Sequence, residues 1–178
     1  MPGSDTVRRA IYIGGQRDAA AEAGIATPAR RLVEQVPTVY GFLQARSVPY
    51  RRVWRGAHTL SGDRVAKNLL LVDGARHALA LVTQGRRIDI EAINRDFLRG
   101  FRLGGLGDVN RLFPGMPPQA LWPACIDARV ELFVDEAFDR LDEVALETHD
   151  QRCLVLVDGD DFRRIFRKGR RGRISAAF

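Results

Sequence analysis

The chain has 178 residues, enough for one domain with a sizeable core, and 46% of them are hydrophobic, which excludes a disordered protein. No apolar run approaches the roughly 20 residues that span a bilayer, and no signal peptide is recognisable, so we expect a cytoplasmic protein without a membrane partner. Cys125 and Cys153 are too few for a disulfide framework, which favours reduced thiols.

The positive charge is concentrated near the end of the sequence. The net charge is +6, and residues 163–173, RRIFRKGRRGR, hold seven basic and no acidic residues. Without this block the chain is almost neutral. Such a block is typical of a mobile segment that contacts nucleic acid, and equally of a solvated terminus or a linker.

The first half of the chain predicts two helices, a strand and a hairpin after a weakly patterned start, residues 1–26. Thr27 as N-cap and Pro28 at the first helical position predict the first helix in ATPARRLVEQVP. Apolar residues at helical spacing predict a helix in TVYGFLQARSV, and PYRRVWR predicts a strand. Two apolar runs flank Asp73-Gly74, a strong turn signal, and predict a hairpin with strands near 68–73 and 77–83. The first run is apolar at nearly every position, which is typical of a central strand covered on both faces.

The second half mixes short helices and strands. Asp89 as N-cap and Gly100 as a stop predict a helix in DIEAINRDFLRG, and GDVNRLFPG predicts a shorter one. Four prolines mark 114–123 as a loop. Strands follow in RVELFVDE, EVALET and CLVLVD, with helices in EAFDRL and GDDFRRIFRKG. This pattern predicts an α+β fold, a mixed β-sheet core with flanking helices.

Lysine is scarce, which draws attention to Lys67. Only Lys67 and Lys168 are lysines among 28 basic residues. Lys67 begins an apolar run, where a long cation is awkward to place. Either its side chain extends from the strand end to solvent, or a site needs a flexible point charge that arginine cannot replace.

Several motifs, in this order, resemble the YbaK/ProX family, whose free-standing and synthetase-associated domains edit mischarged tRNA. They are VPYRRV, VAKNLLLVDG, ALALVTQGRRIDIEAIN, the Gly/Pro loop ending in WP, VELFVDEAFDRLDEVALETHD and DGDDFRRIF. The resemblance covers residues 38–167. Its most specific piece is AKNLLLVDG, which is similar to the family's A-K-(T/N)-L-(L/F) segment at the start of a central strand.

The resemblance implies hydrolysis of the ester between a wrong amino acid and the 3′-terminal ribose of tRNA. The family's hallmark lysine falls on Lys67. The resemblance thus implies that this ammonium reaches a phosphate or the ester carbonyl, where it stabilises negative charge developing on oxygen.

A second family feature is a Gly-x-x-x-Pro loop whose backbone lines the aminoacyl pocket. Aligned on the proline, the segment here is QALWP, and glutamine departs from the family's glycine, which allows close approach of the backbone. The indole of this loop could stack on the terminal adenine or anchor the core. The implied substrate-binding residues are Gln119, Ala120, Leu121, Trp122 and Pro123.

Two further segments are implied at the site. Asp150 falls where some family members carry a functional aspartate, and His149 beside it could act as a general base for water. The alternative for both is an exposed turn. His58 and Thr59 lie in a pocket-lining segment that is shorter here than in the family. We expect neither a cofactor nor a metal, because His and Cys show no ligand spacing.

The resemblance implies an aminoacyl-tRNA deacylase that edits in trans, with the 3′ acceptor end of tRNA as partner and a synthetase as a second candidate partner. The alternative is a catalytically degenerate module that binds tRNA, another RNA or a protein, as Gln119 and the short His58 segment favour. The predicted domains are an N-terminal extension (1–36), an editing domain (37–168) and a basic tail (169–178). The extension and the tail could also be docking arms.

Overall fold

The computed structural model describes residues 38–55, 60–74, 76–118, 121–122, 130–149 and 152–178. Within these residues the fold is α+β, as predicted, with a mixed sheet and helices on both faces. The strands are β1 (Arg51–Trp54), β2 (Val65–Asp73), β3 (Arg76–Thr83), β4 (Arg86–Ile88), β5 (Arg102–Leu103), β6 (Glu131–Asp135), β7 (Glu143–Glu147), β8 (Cys153–Asp158), β9 (Arg170–Gly172) and β10 (Ser175–Ala177). The α-helices are α1 (Val39–Gln44), α2 (Ile90–Phe97), α3 (Leu106–Leu112) and α4 (Gly159–Ile165), and 3-10 turns span Gly62–Arg64 and Glu136–Arg140.

The main sheet has the strand order β1-β8-β7-β2-β3-β6-β9, and β5 pairs with the end of β2. β2 and β3 form the predicted antiparallel hairpin, with Asp73 opposite Arg76 and Gly74 at a φ of 56°. β2 also runs parallel to β7, and β3 runs parallel to β6. The two apolar arms of the hairpin are therefore central strands, which explains why both are apolar at most positions.

Alternation along β2 divides its side chains between two faces of the sheet. Ala66, Leu70 and Val72 pack on one face with residues of α1, α3 and α4. Leu69 and Leu71 pack on the other face with residues of α2, β3 and β6. A third apolar cluster joins β1, β7, β8 and the start of β2.

Three of the four described α-helices, α1, α2 and α4, begin at an N-cap side chain. Asp89 is the N-cap of α2, as predicted, because its Oδ1 accepts from the Ala92 amide at 2.8 Å. The predicted stop at Gly100 is late, since α2 ends at Phe97 and Leu98 is left-handed. The Asn94 side chain explains the early end: it binds both the amide and the carbonyl of Phe101 and so draws the chain away from the helix axis. None of the described helices is long and apolar enough to cross a membrane.

Residues predicted as a basic tail form two strands. β9 pairs in parallel with β6, and β10 pairs with β4 in a separate two-stranded sheet. Four of the seven basic residues in the arginine-rich block form ion pairs with described carboxylates: Arg163 with Asp160, Arg164 with Asp161, Arg170 with Glu131 and Arg171 with Asp139. Arg163 and Arg164 lie in α4, within the predicted terminal helix, and pair with carboxylates three residues earlier. Arg170 and Arg171 lie in β9 and pair with distant carboxylates of β6 and the second 3-10 turn, which no local signal specifies.

Candidate functional site

Lys67 lies near the start of β2, opposite Val82 of β3. Its side chain is partly buried and, by alternation, lies on the face of Leu69 and Leu71. The Nζ atom donates a hydrogen bond to the main-chain carbonyl of Arg86 at 2.9 Å. Lys67 therefore does not simply extend from the strand end into solvent.

Arg86 is itself held in place. It begins β4, and its guanidinium binds Ser175 of β10 twice, with Nε 2.7 Å from the hydroxyl and Nη2 3.0 Å from the carbonyl. Because both strands of the small sheet fix this residue, the carbonyl that accepts from Lys67 has a defined position. The ammonium is consequently positioned by backbone rather than by another flexible side chain.

The parallel pairing of β2 with β7 brings a carboxylate to Lys67. Ala66 lies opposite Leu146, so the next step along the two strands places Lys67 beside Glu147. Glu147 also forms an ion pair with Arg55 at 2.5 Å. Burial lowers the pKa of Lys67 below its ordinary value, and the attraction of Glu147 offsets only part of this effect.

This arrangement can place a cation against an anionic or carbonyl oxygen. An ammonium has three donors, and among the described residues only the Arg86 carbonyl accepts from it. The remaining donors are available to a substrate. A partly desolvated ammonium interacts with developing negative charge more strongly than one in bulk water.

A separate cavity of about 160 Å³ lies on the opposite face of β2. Its lining is mostly apolar and includes Asn68, Leu70, Gly104, Pro118 and Leu121. The lining also includes Leu69 but not Lys67, which precedes these residues on β2. The cavity and the ammonium are therefore two distinct features of the fold.

Three predicted site residues besides Lys67 lie in the described structure. Trp122 is completely buried, packs against Phe166, and donates from its indole to the Glu147 carbonyl at 3.0 Å. A buried indole cannot stack on a base, so the structure corrects the stacking alternative for Trp122 and favours the core anchor. Leu121 is also buried and lines the apolar cavity, whereas His149 is exposed two residues after Glu147.

The other predicted site residues lie outside the described part of the chain. They are His58, Thr59, Gln119, Ala120, Pro123 and Asp150. Their roles stay predictions, as does the role of Lys67.

Sequence reasoning missed Glu147, Arg55 and Arg86. Glu147 occurs in an ordinary alternating strand, and only the pairing of β2 with β7, nearly 80 residues away in the sequence, brings it to Lys67. Arg86 contributes through its carbonyl, which carries no sequence signal. In the described residues no three His, Cys, Asp or Glu side chains are grouped so that they could hold a metal ion.

Several solved structures share this fold at low sequence identity. A proposed signal transduction protein from Marinobacter aquaeolei VT8 matches 76% of this chain with a TM-score of 0.61 and 22% identity, and the chain spans only 30% of that protein. A scaffold protein for computationally grafted linear epitopes has a TM-score of 0.65 and 16% identity over 82% of this chain and 99% of its own. A proposed trans-editing enzyme for prolyl-tRNA synthetase has a TM-score of 0.59 and 16% identity with the same coverage. At these identities the likeness establishes the fold alone.

Sequence comparison identifies the family. None of the curated proteins compared with this chain gives a significant match. The family model of the aminoacyl-tRNA editing domain matches residues 55–165, which is more than half of the chain and contains Lys67, Arg86 and Glu147. The chain therefore belongs to the aminoacyl-tRNA editing domain family.

Proposed function

We propose that this protein is an aminoacyl-tRNA deacylase and that Lys67 positions the ester and stabilises charge during its hydrolysis. Water adds to the ester carbonyl, and the bond to the ribose oxygen breaks, giving a free amino acid and a tRNA with its 3′ hydroxyl restored. The observation that carries the proposal is a partly buried ammonium, anchored on a backbone carbonyl, within the residues that match the editing family.

The electrostatic role follows from the anchoring. Negative charge develops on the carbonyl oxygen as water adds, and a cation already in place stabilises it without reorganisation. The planar guanidinium of arginine is wider than an ammonium and forms hydrogen bonds with different geometry. Lys67→Arg should therefore not keep the wild-type rate. Arg86 and Glu147 would act as positioning residues for Lys67.

The test is single-turnover deacylation of alanyl-, seryl- and cysteinyl-tRNA for proline at saturating protein. We expect Lys67→Ala to lower the rate by about 10²–10³, the range found on removing one oxyanion donor. Lys168→Ala is the matched control, because Lys168 is the only other lysine and is exposed. Equal rates for wild type and Lys67→Ala would remove Lys67 from the mechanism.

His149 is the candidate general base, with Asp150 near the water or the amino group, and residues 119–123 with His58 and Thr59 as the pocket edge. Its place two residues after Glu147, the carboxylate beside Lys67, supports this role, whereas its exposure fits the alternative of an exposed turn. We expect His149→Ala to reduce the rate by about 10²–10⁴ if it takes the proton from water. His77→Ala is the control, since its ring packs against Phe113 in the hairpin region. An unchanged rate in His149→Ala would assign the water to another group.

A catalytically degenerate module that binds tRNA, another RNA or a protein is the second candidate. The observation that favours it is Gln119, which replaces the loop glycine of the family pattern. In that case the protein retains uncharged tRNA in a filter-binding assay, yet no mischarged tRNA is hydrolysed faster than in buffer. Gln119→Gly would then be the variant with which to seek recovered activity.

A further inference from the structure

An exposed aromatic ring lies beside the Lys67 ammonium. The Nζ atom of Lys67 is 5.9 Å from the centroid of the Phe178 ring, and this side chain is 86% exposed. A ring that exposed contributes little to the core, since the hydrophobic stabilisation of a side chain scales with the apolar area it buries. At this distance the ring lies within cation–π range of the ammonium, and most of its surface stays accessible to a ligand.

The backbone that leads to the ring is held by the same residue that anchors the ammonium. Ala177, which precedes Phe178, pairs with Arg86 in the small sheet, and the Arg86 guanidinium holds Ser175. The Arg86 carbonyl accepts from Lys67. Strand β10 and the ammonium are thus both tied to Arg86, which keeps the backbone before Phe178 close to Lys67.

We propose that Phe178 binds the terminal base of the substrate by stacking, with the aminoacyl ester directed to Lys67. This inference rests on the proposed function, because it takes the substrate to be an aminoacyl-tRNA. The ester is attached to the ribose of the terminal adenosine, so base and ester are separated by one sugar, and a flat hydrophobic surface close to the ammonium suits that geometry. Every nucleobase offers a π-face to such a ring.

Phe178 is accessible for stacking on the terminal base, whereas Trp122 is not. Trp122 is completely buried, so its indole is not accessible to a nucleotide. The side chains of Leu98 and Phe178 are exposed to almost the same extent, 87% and 86%, but Leu98 follows α2 near the other end of β2. Leu98 is therefore a matched control for loss of an exposed apolar side chain away from Lys67.

The kinetic test compares Phe178→Ala, Phe178→Trp and Leu98→Ala in steady-state deacylation. We expect Phe178→Ala to raise KM by about 5- to 100-fold with kcat unchanged, because stacking holds the base equally in the ground state and the transition state. Phe178→Trp and Leu98→Ala should keep the wild-type KM. An active wild type whose KM is unchanged in Phe178→Ala would overturn the inference and leave the proposed function standing.

A binding test does not depend on activity. In a Trp54→Phe background, Phe178→Trp gives one exposed tryptophan as a reporter, and the remaining tryptophan, Trp122, is buried. We expect an uncharged RNA hairpin ending in CCA to quench this reporter, the same hairpin ending in CC to quench it less, and the Trp54→Phe parent to show neither effect. Equal quenching by both hairpins would overturn the inference. Quenching specific for CCA in a protein without deacylase activity would support the stacking role while removing the proposed function.

Discussion

At the scale of single residues, the surroundings of Lys67 can be measured directly, because the chain has only one other lysine. Lysine labelled with ¹³C at Cε gives two side-chain signals, and Lys67→Arg identifies one of them. We expect Lys67 to titrate below its ordinary value of 10.5, since burial outweighs the attraction of Glu147. A measured pKa at or above the ordinary value would contradict the burial of this ammonium.

The charge of Glu147 allows a second prediction for the pKa of Lys67. Removing it in Glu147→Gln takes away the attraction that raises the pKa, so the pKa of Lys67 should fall further. Glu143→Gln is the control, because Glu143 is on the same strand and also pairs with an arginine, Arg51, at 2.7 Å. It should leave the Lys67 titration unchanged. If Lys67 acts as a cation, deacylation should decline with rising pH as this lowered pKa is passed.

The sequence identified Lys67 as a candidate site residue but did not predict its neighbours. The scarcity of lysine and the motif around it are local signals that one sequence contains. The neighbours Glu147 and Arg55 depend on strand pairing, which no local signal specifies. For Trp122 the sequence permitted two roles, base stacking and a core anchor. Only its burial in the structure distinguishes between them.

At the scale of secondary-structure elements, the start of α4 leaves no room for a side chain. A Cβ atom at Gly159 would lie 1.9 Å from the Leu141 carbonyl oxygen, and the Gly159 amide donates to the Asp142 carbonyl at 2.7 Å. We expect Gly159→Ala to lower the free energy of unfolding by about 1–3 kcal/mol through overpacking. Urea denaturation followed by circular dichroism measures this change.

The same substitution in α3 provides the control. A Cβ atom at Gly107 would meet nothing within 4 Å. Gly107→Ala should therefore raise the free energy of unfolding by about 0.4–1 kcal/mol, because alanine restricts the unfolded chain and favours helix. Equal effects of the two substitutions would contradict the close contact at α4.

Asp108 holds together the first turn of α3. Its carboxylate accepts from Arg102 at 2.8 Å, from the Gly105 amide at 3.1 Å and from Arg111 at 3.3 Å. Arg102 and the Gly105 amide keep the pKa of Asp108 well below its usual range. The resulting stabilisation is present above the ordinary carboxyl pKa and is lost as the pH falls through the lowered value in the folded state.

The expected outcome is that Asp108→Asn is less stable than wild type at neutral pH and that the difference shrinks on acidification below the ordinary carboxyl range. Thermal unfolding at a series of pH values measures it. Asp96→Asn is the control, since Asp96 forms only an exposed pair with its neighbour Arg95. A difference that is the same at every pH would exclude ionisation of Asp108 as its cause.

Elements with strong local signals were predictable, and those without were not. Asp73-Gly74 between two apolar runs specified the hairpin, and Asp89 specified the start of α2. β4, β9 and β10 are only three residues long, rich in arginine or small residues, and exist because other strands pair with them. The end of α2 depends on the Asn94 side chain, which overrides the glycine signal.

At the scale of the whole molecule, the fold determines which residues of the arginine-rich block are accessible to a nucleic acid. Arg170 and Arg171 pair with carboxylates of described residues, whereas Arg167 and Arg173 are exposed and form no ion pair with any described residue. Only part of the block is therefore available to a nucleic acid. The sequence could place the charge of Arg170 and Arg171 but not their partners, which come from two other elements, β6 and the second 3-10 turn.

This division predicts how tRNA binding depends on salt. If the block contacts the tRNA backbone, Arg167→Gln and Arg173→Gln should each weaken binding and reduce the slope of log K against log salt by about 0.7–0.9. Arg170→Gln and Arg171→Gln, which lose the same charge from an ion pair, should change that slope less. Fluorescence anisotropy with labelled tRNA at several salt concentrations measures it, and equal slopes for all four variants would contradict a role for this surface.

Arg86 is engaged through both its backbone and its side chain, and this limits what mutagenesis can reveal. Its guanidinium can be removed by substitution, but the carbonyl that accepts the hydrogen bond from Lys67 belongs to the main chain and persists in every variant. Alanine scanning therefore cannot remove the hydrogen bond that anchors the ammonium. Semisynthesis that replaces the amide between Arg86 and Arg87 with an ester would weaken that acceptor and remove the Arg87 N–H, while sparing both side chains.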